Sequence, residues 1–161
     1  MVRFENKGNY EIHYPPEKLR QKVKSAGGKG LKEIEKDSEN LFLGLSSEFL
    51  ASVQEGAAAI NETLKIFREG APTDGDRDRI HKIAHDLKDV GSSFGFPLIG
   101  EISSLVCDLS HDAIPVGKVK TDLIAVLTQT LDEAAEDRIR TSTDPRADKL
   151  TASLAKIRLK S

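Results

Sequence analysis

The side chains best suited to chemistry lie in one short stretch, His81 to Phe96, which reads HKIAHDLKDVGSSFGF. At about 100° per residue in a helix, Ile80, Ile83, Ala84, Leu87, Gly91 and Phe94 share one apolar face. His85 falls roughly 140° from the centre of that face, which predicts a solvent-facing histidine in mid-helix. Lys88 and Ser92 follow at i+3 and i+7 on the same side. A neutral imidazole near physiological pH offers a nucleophilic nitrogen. Its protrusion would permit in-line attack on a phosphoryl group held by another protein. A lysine one turn away would offset the negative phosphoryl oxygens. Gly91, on the core face, would let a neighbouring helix pack closely.

Competing chemistries find less support. His81 and His85 at i, i+4 could chelate a metal, but the segment HKIAH lacks the glutamate of the zinc-protease helix. A third ligand would have to come from His111, Asp112 or elsewhere, so no metal site is expected. No Gly-x-Ser-x-Gly elbow occurs. Gly27-Gly28-Lys29-Gly30 follows no credible strand and reads as a linker, not as a nucleotide cradle. Without an ATP site the chain is not expected to be a kinase unaided. His13 and His111 are expected in loops or at helix ends, without chemistry. The charged run Asp132 to Arg140 reads as a solvated helix face.

The elements that must hold the histidine are helical from Leu31 onward. A first apolar stripe runs Phe42, Leu45, Phe49, Val53, Gly56, Ile60, Leu64, Phe67, with a possible interruption near Gly44-Leu45-Ser46-Ser47, where a serine could cap a new start. Gly70-Ala71-Pro72 ends it. The His85 stripe is closed by Gly95-Phe96-Pro97. A third stripe is Ile99, Ile102, Leu105, Val106, Leu109, closed by Pro115. A fourth is Val119, Leu123, Val126, Leu127, Thr130, Ala134, and a fifth, after Ser142 to Pro145, is Ala147, Leu150, Leu154, Ile157. Prolines fall between these segments, not inside them, where each would cost about 3 kcal/mol. Short connections make neighbours antiparallel, and short helices must bury their stripes against one another to persist.

The expected fold is therefore all-α: an antiparallel up-down four-helix bundle over residues 31–161, with one or two flanking helices. Residues 1–30 are expected to be an extended, partly ordered arm. In it, Val2, Phe4, Tyr10, Ile12 and Tyr14 give a broken alternation around Asn6-Lys7-Gly8-Asn9, either a frayed hairpin or an extended tail, and Pro15-Pro16 follows.

Composition agrees with one soluble domain. The chain has 161 residues, 38% hydrophobic and 31% charged, with a formal net charge of −2. That charge gives no global drive toward nucleic acid. The absence of Trp and the low aromatic content argue against a base-stacking platform. No apolar run approaches the ~20 residues of a membrane span, and no signal-peptide pattern opens the sequence. The single cysteine, Cys107, excludes an internal disulfide and fits a reducing cytoplasm. Its apolar neighbours predict a buried, inert thiol.

The segment after His85 resembles the histidine-containing phosphotransfer family. That family has a hydrophobic residue two places after its histidine, lysine at three, small residues through eight, a hydrophobic residue at nine and glycine at ten. These places hold Leu87, Lys88, Gly91-Ser92-Ser93, Phe94 and Gly95. The ending Phe94-Gly95-Phe96 is also similar to phosphotransfer domains of chemotaxis kinases, and the lead-in YPPEKLRQKV to extensions of some stand-alone bacterial members. The match covers about a fifth of the chain. The resemblance implies a phosphorelay carrier in which His85 is phosphorylated and Lys88 is its electrostatic partner. It implies response-regulator receiver domains as partners, bringing their own aspartate and Mg²⁺, and a hybrid sensor histidine kinase as upstream donor. No cofactor of its own, no nucleic acid and no membrane are implied. The chain departs from the family at the fourth place, where glycine is usual and Asp89 stands. The alternative is thus a phosphorylation-inactive adaptor that keeps the helices for binding receiver or kinase domains.

Overall fold

A computed structural model of the chain describes residues 3–14 and 27–158. Pro15-Pro16 and the rest of the lead-in that follows Tyr14 lie outside the described residues. The arm is not simply extended: β1 (Arg3–Asn6) and β2 (Glu11–Tyr14) form an antiparallel two-stranded sheet, with Phe4 opposite His13 and Asn6 opposite Glu11. Between the alternatives open for this segment, the turn chemistry decides. Gly8 takes φ +86°, its amide donates to the Asn6 side chain at 2.9 Å, and the Lys7 amide closes onto the Tyr10 carbonyl at 2.9 Å. The chain is therefore mostly helical with one small two-stranded sheet, compatible with an all-α class, and His13 sits in a strand rather than a loop.

The helices are α1 (Leu31–Glu69), α2 (Asp74–Gly91), α3 (Pro97–Leu109), α4 (Thr121–Glu136) and α5 (Asp148–Arg158). Short 3₁₀ turns lie at Val116–Lys118 and Pro145–Ala147. Two compact units divide between Asn40 and Leu41, inside α1, ten residues beyond the expected boundary. In the first unit, Lys29 pairs with Asp37. The second unit holds the core.

No interruption occurs at Gly44 to Ser47: α1 is one helix, and the Ser47 hydroxyl donates to the Leu43 carbonyl at 3.1 Å instead of capping a new start. Its stripe is buried only from Ser46 and Phe49 onward, whereas Phe42 and Leu45 are exposed. The reason is where α2 packs. A β-carbon on Gly56 would touch Ile83 and Leu87, and the Phe49 ring stacks on Phe94 at 5.1 Å. Those pairings run in opposite chain directions, so α1 and α2 are antiparallel.

α2 starts at a capping box, with Thr73 accepting from the Asp76 amide and Asp76 accepting from the Thr73 amide at 2.8 Å. The Thr73 hydroxyl, which donates to the Asp76 carboxylate at 2.6 Å, and the Thr73 amide hold that carboxyl below the usual carboxylate range. The helix ends where Gly95, at φ +80°, lets the Phe96 amide return to the Gly91 carbonyl at 2.9 Å. Pro97 then opens α3 at a position with no amide to lose. Gly91 lies against Gly100 and Cys107 against the His81 carbonyl, so α2 and α3 also run antiparallel.

In α4 the buried face is turned from the expected one. Val126 is 43% exposed, while Ile124, Leu127 and Leu131 are fully buried. Apolar residues at 123, 124, 126, 127 and 131 permit two overlapping stripes, and packing selects the one through Ile124. The Leu98 amide donates to the Arg140 carbonyl at 3.0 Å, tying the start of α3 to the chain beyond α4. In α5, Leu150 and Leu154 join the core with Ala147 just before it; the Ile157 side chain lies outside the described residues.

Candidate functional site

His85 emerges from the middle of α2 with a side chain 53% exposed, at the solvent position its phase in the helix requires. Beneath it the helix is fixed on the core side by Ile80, Ala84 and Leu87, all buried. The imidazole is therefore mobile only about its own side-chain bonds. One turn on, Asp89 Oδ2 lies 3.4 Å from His85 Nδ1. That contact is long for an N–H···O hydrogen bond, and such contacts commonly shorten when a site engages its reactant.

Lys88 is exposed on the flank of α2 that leans toward α3. Its charge reaches the Cys107 sulfur, where it partly opposes the larger effect of burial, which pushes that thiol up from its ordinary value. Cys107 is buried.

His81 is half-buried, and its Nδ1 is shut off from water without a hydrogen-bond partner among the described residues. Its ring lies 6.3 Å from that of His85 and meets His111 edge-on at 5.9 Å. His111 Nδ1 lies 3.1 Å from the Ala113 amide, which donates to it, and 2.8 Å from an Asp112 carboxylate oxygen. His81 thus lies between the rings of His85 and His111. Among the described residues, no three His, Cys, Asp or Glu groups converge closely enough to hold a metal ion.

The loop that carries His111 is tied down by Arg77. This guanidinium, near the start of α2, has a side chain only 8% exposed and donates to the carbonyls of Asp112 and Ile114, each at 3.1 Å. Asp74 and Asp78 complete its shell at 3.2 and 2.9 Å, and the bond to Asp78 raises the Arg77 pKa. Arg77 was not legible from the helical pattern, which marks it as an ordinary charged residue. Only its phase, one turn before Ile80 on the apolar face, hints at burial.

An apolar groove between α1 and α2 is lined by Phe49, Gly56, Ile83, Leu87 and Val90, with Ser52 and Asp86 at its edge. Its α2 residues centre roughly 150° around the helix from His85. The structure does not bring the groove and the histidine together. The face that His85 shares is polar, with His81, Lys88, Asp89 and Ser92 around it.

No helix among the described residues is long and apolar enough to cross a membrane. Comparison with family models, with curated proteins and with solved structures found no match to this chain.

Proposed function

We propose that the chain is a histidine phosphotransfer protein of a cytoplasmic phosphorelay, with His85 as the phosphoacceptor. The observation that supports it most is a single one. An imidazole stands free in solvent at the middle of a helix whose opposite face is locked into the core, with a carboxylate against one ring nitrogen and a lysine one turn away. An exposed histidine on a rigid support is what in-line transfer between two proteins requires.

On this reading, α1 from Leu41 onward, α2, α3 and α4 form an antiparallel four-helix bundle, and α5 flanks it. The antiparallel α1–α2 and α2–α3 pairs and the shared core are consistent with that arrangement. The partners are receiver domains, which bring the phosphorylated aspartate and Mg²⁺, and a hybrid sensor kinase upstream. His85 Nε2 attacks phosphorus, the N–P bond forms as the O–P bond of the acyl phosphate breaks, and the receiver carboxylate leaves. Lys88 supplies positive charge beside the transferred group.

The departure at Asp89 favours a second reading, a docking protein that no longer transfers phosphate. One experiment separates them: incubation with a phosphorylated receiver domain or an autophosphorylating histidine kinase. Acid-labile, base-stable label on His85 supports transfer. Complex formation without label supports the adaptor.

A further inference from the structure

Asp89 stands at the fourth place of the motif, where glycine is usual, yet its carboxylate lies against the His85 ring. We infer that Asp89 is a positioning residue for His85: it holds the ring proton on Nδ1 and leaves Nε2 bare as the nucleophile. This inference rests on the phosphotransfer reading and specifies how the histidine would work.

Three observations lead to it. Asp89 Oδ2 lies 3.4 Å from Nδ1, the ring nitrogen nearer the backbone. The two residues are i, i+4 on a helix whose register is fixed by the buried Ala84 and Leu87, so the backbone places both side chains on one face within reach of each other. Both side chains are more than half exposed, so the carboxylate and the ring face solvent together, on the side open to a docking protein. Which nitrogen of a neutral histidine carries its proton is set by the hydrogen bond that the other nitrogen makes or lacks. A carboxylate accepts only, so beside Nδ1 it selects the form with the proton there.

The consequence for transfer follows from the electron count. The Nε2 lone pair attacks phosphorus and the acyl oxygen departs with the bonding pair. No proton need leave the ring. The phosphorylated ring then carries a positive charge with its proton still on Nδ1, beside the Asp89 carboxylate. In the onward step a receiver carboxylate attacks phosphorus, the N–P pair returns to Nε2, and the ring leaves neutral. The charge that Asp89 stabilises exists only while phosphate is bound or moving, so the same carboxylate assists both directions. The phosphoryl group is on Nε2, the far side of the ring, which keeps Asp89 from opposing it directly.

The test reads the ring itself as well as transfer. Nitrogen-15 NMR of histidine-labelled protein reports which nitrogen of neutral His85 is protonated. Wild type should show the proton on Nδ1, and Asp89→Ala should move it to Nε2 while slowing phosphate uptake by about three- to ten-fold, the scale of an exposed charge contact. Asp89→Asn, which keeps an accepting oxygen but loses the charge, should retain the Nδ1 form yet still transfer more slowly than wild type. A wild-type ring protonated on Nε2, or a ring and rate unchanged in Asp89→Ala, would overturn the positioning role while leaving His85 as acceptor. Failure of wild-type His85 to take label from any phosphorylated receiver or kinase overturns the phosphotransfer reading, and the inference with it.

Discussion

Gly91 and Gly100 bring the backbones of α2 and α3 together: a β-carbon placed on Gly91 would lie 3.0 Å from the Gly100 nitrogen and 3.2 Å from the Phe96 carbonyl oxygen. Backbone atoms cannot rotate away as a side chain can. Gly91→Ala should therefore destabilise the fold, by about 1 kcal/mol or more once overpacking is set against the better helix propensity of alanine. Gly44 makes the control, since it lies within α1 with open space around its Cα. Gly44→Ala should be neutral or stabilise by about 0.5–1 kcal/mol. Urea unfolding of both variants checks the pair, and equal effects would remove the close approach as a constraint.

Lys88→Ala should slow phosphate uptake at His85, or shorten the life of the phosphorylated protein, by less than about tenfold. The lysine is exposed, and ~1 kcal/mol is a ceiling for such a charge contact. Its helix should remain intact. Measured rates and lifetimes equal to wild type would take Lys88 out of the mechanism.

Acid should loosen the segment ahead of α5 before the core. Asp144 accepts from the Arg146 backbone amide at 3.0 Å and from its guanidinium at 2.7 Å, and these bonds hold its carboxyl down at about 2. Because the folded value lies below the ordinary 3.8, the contribution is present above about pH 4 and lost as pH falls toward 2. Amide exchange at Arg146 and Ala147 should accelerate over that range. In Asp144→Ala it should be fast throughout. An exchange profile in wild type that is flat between pH 4 and 2 would show that the turn does not depend on this carboxylate.

Cys107 should resist alkylation at neutral pH, because burial raises its pKa and closes its access. Iodoacetamide should label it fully only after denaturant is added. Rapid labelling of the folded protein would mean that the α2–α3 contact opens readily.

The position of His85 was readable because one clean apolar stripe fixes the phase of α2, and phase alone puts the histidine in solvent. Ile99, Ile102 and Val106 were legible for the same reason. α4 was not, since two stripes compete there and only packing against its neighbours tells Ile124 from Val126. The hairpin was half legible: Asn6-Lys7-Gly8-Asn9 announces a turn, but four-residue strands carry too little alternation to decide pairing. Within the candidate site, Asp89 stood out as the departure from the motif, at i+4 from His85. Its contact with Nδ1 depends on side-chain rotation, which periodicity does not encode. Nor does it encode the approach of His111 to His81, set by a loop that the buried Arg77 holds.

The central claim is that His85 takes up phosphate, and the most direct measurement is the transfer of radiolabelled phosphate from a phosphorylated receiver domain to wild type, His85→Gln and His81→Gln, with circular dichroism on each. The account predicts acid-labile, base-stable label on wild type and on His81→Gln, none on His85→Gln, and helicity and melting of His85→Gln within about 0.5 kcal/mol of wild type, as for an exposed position. Normal labelling of His85→Gln, or loss of label from His81→Gln with His85 intact, would contradict it.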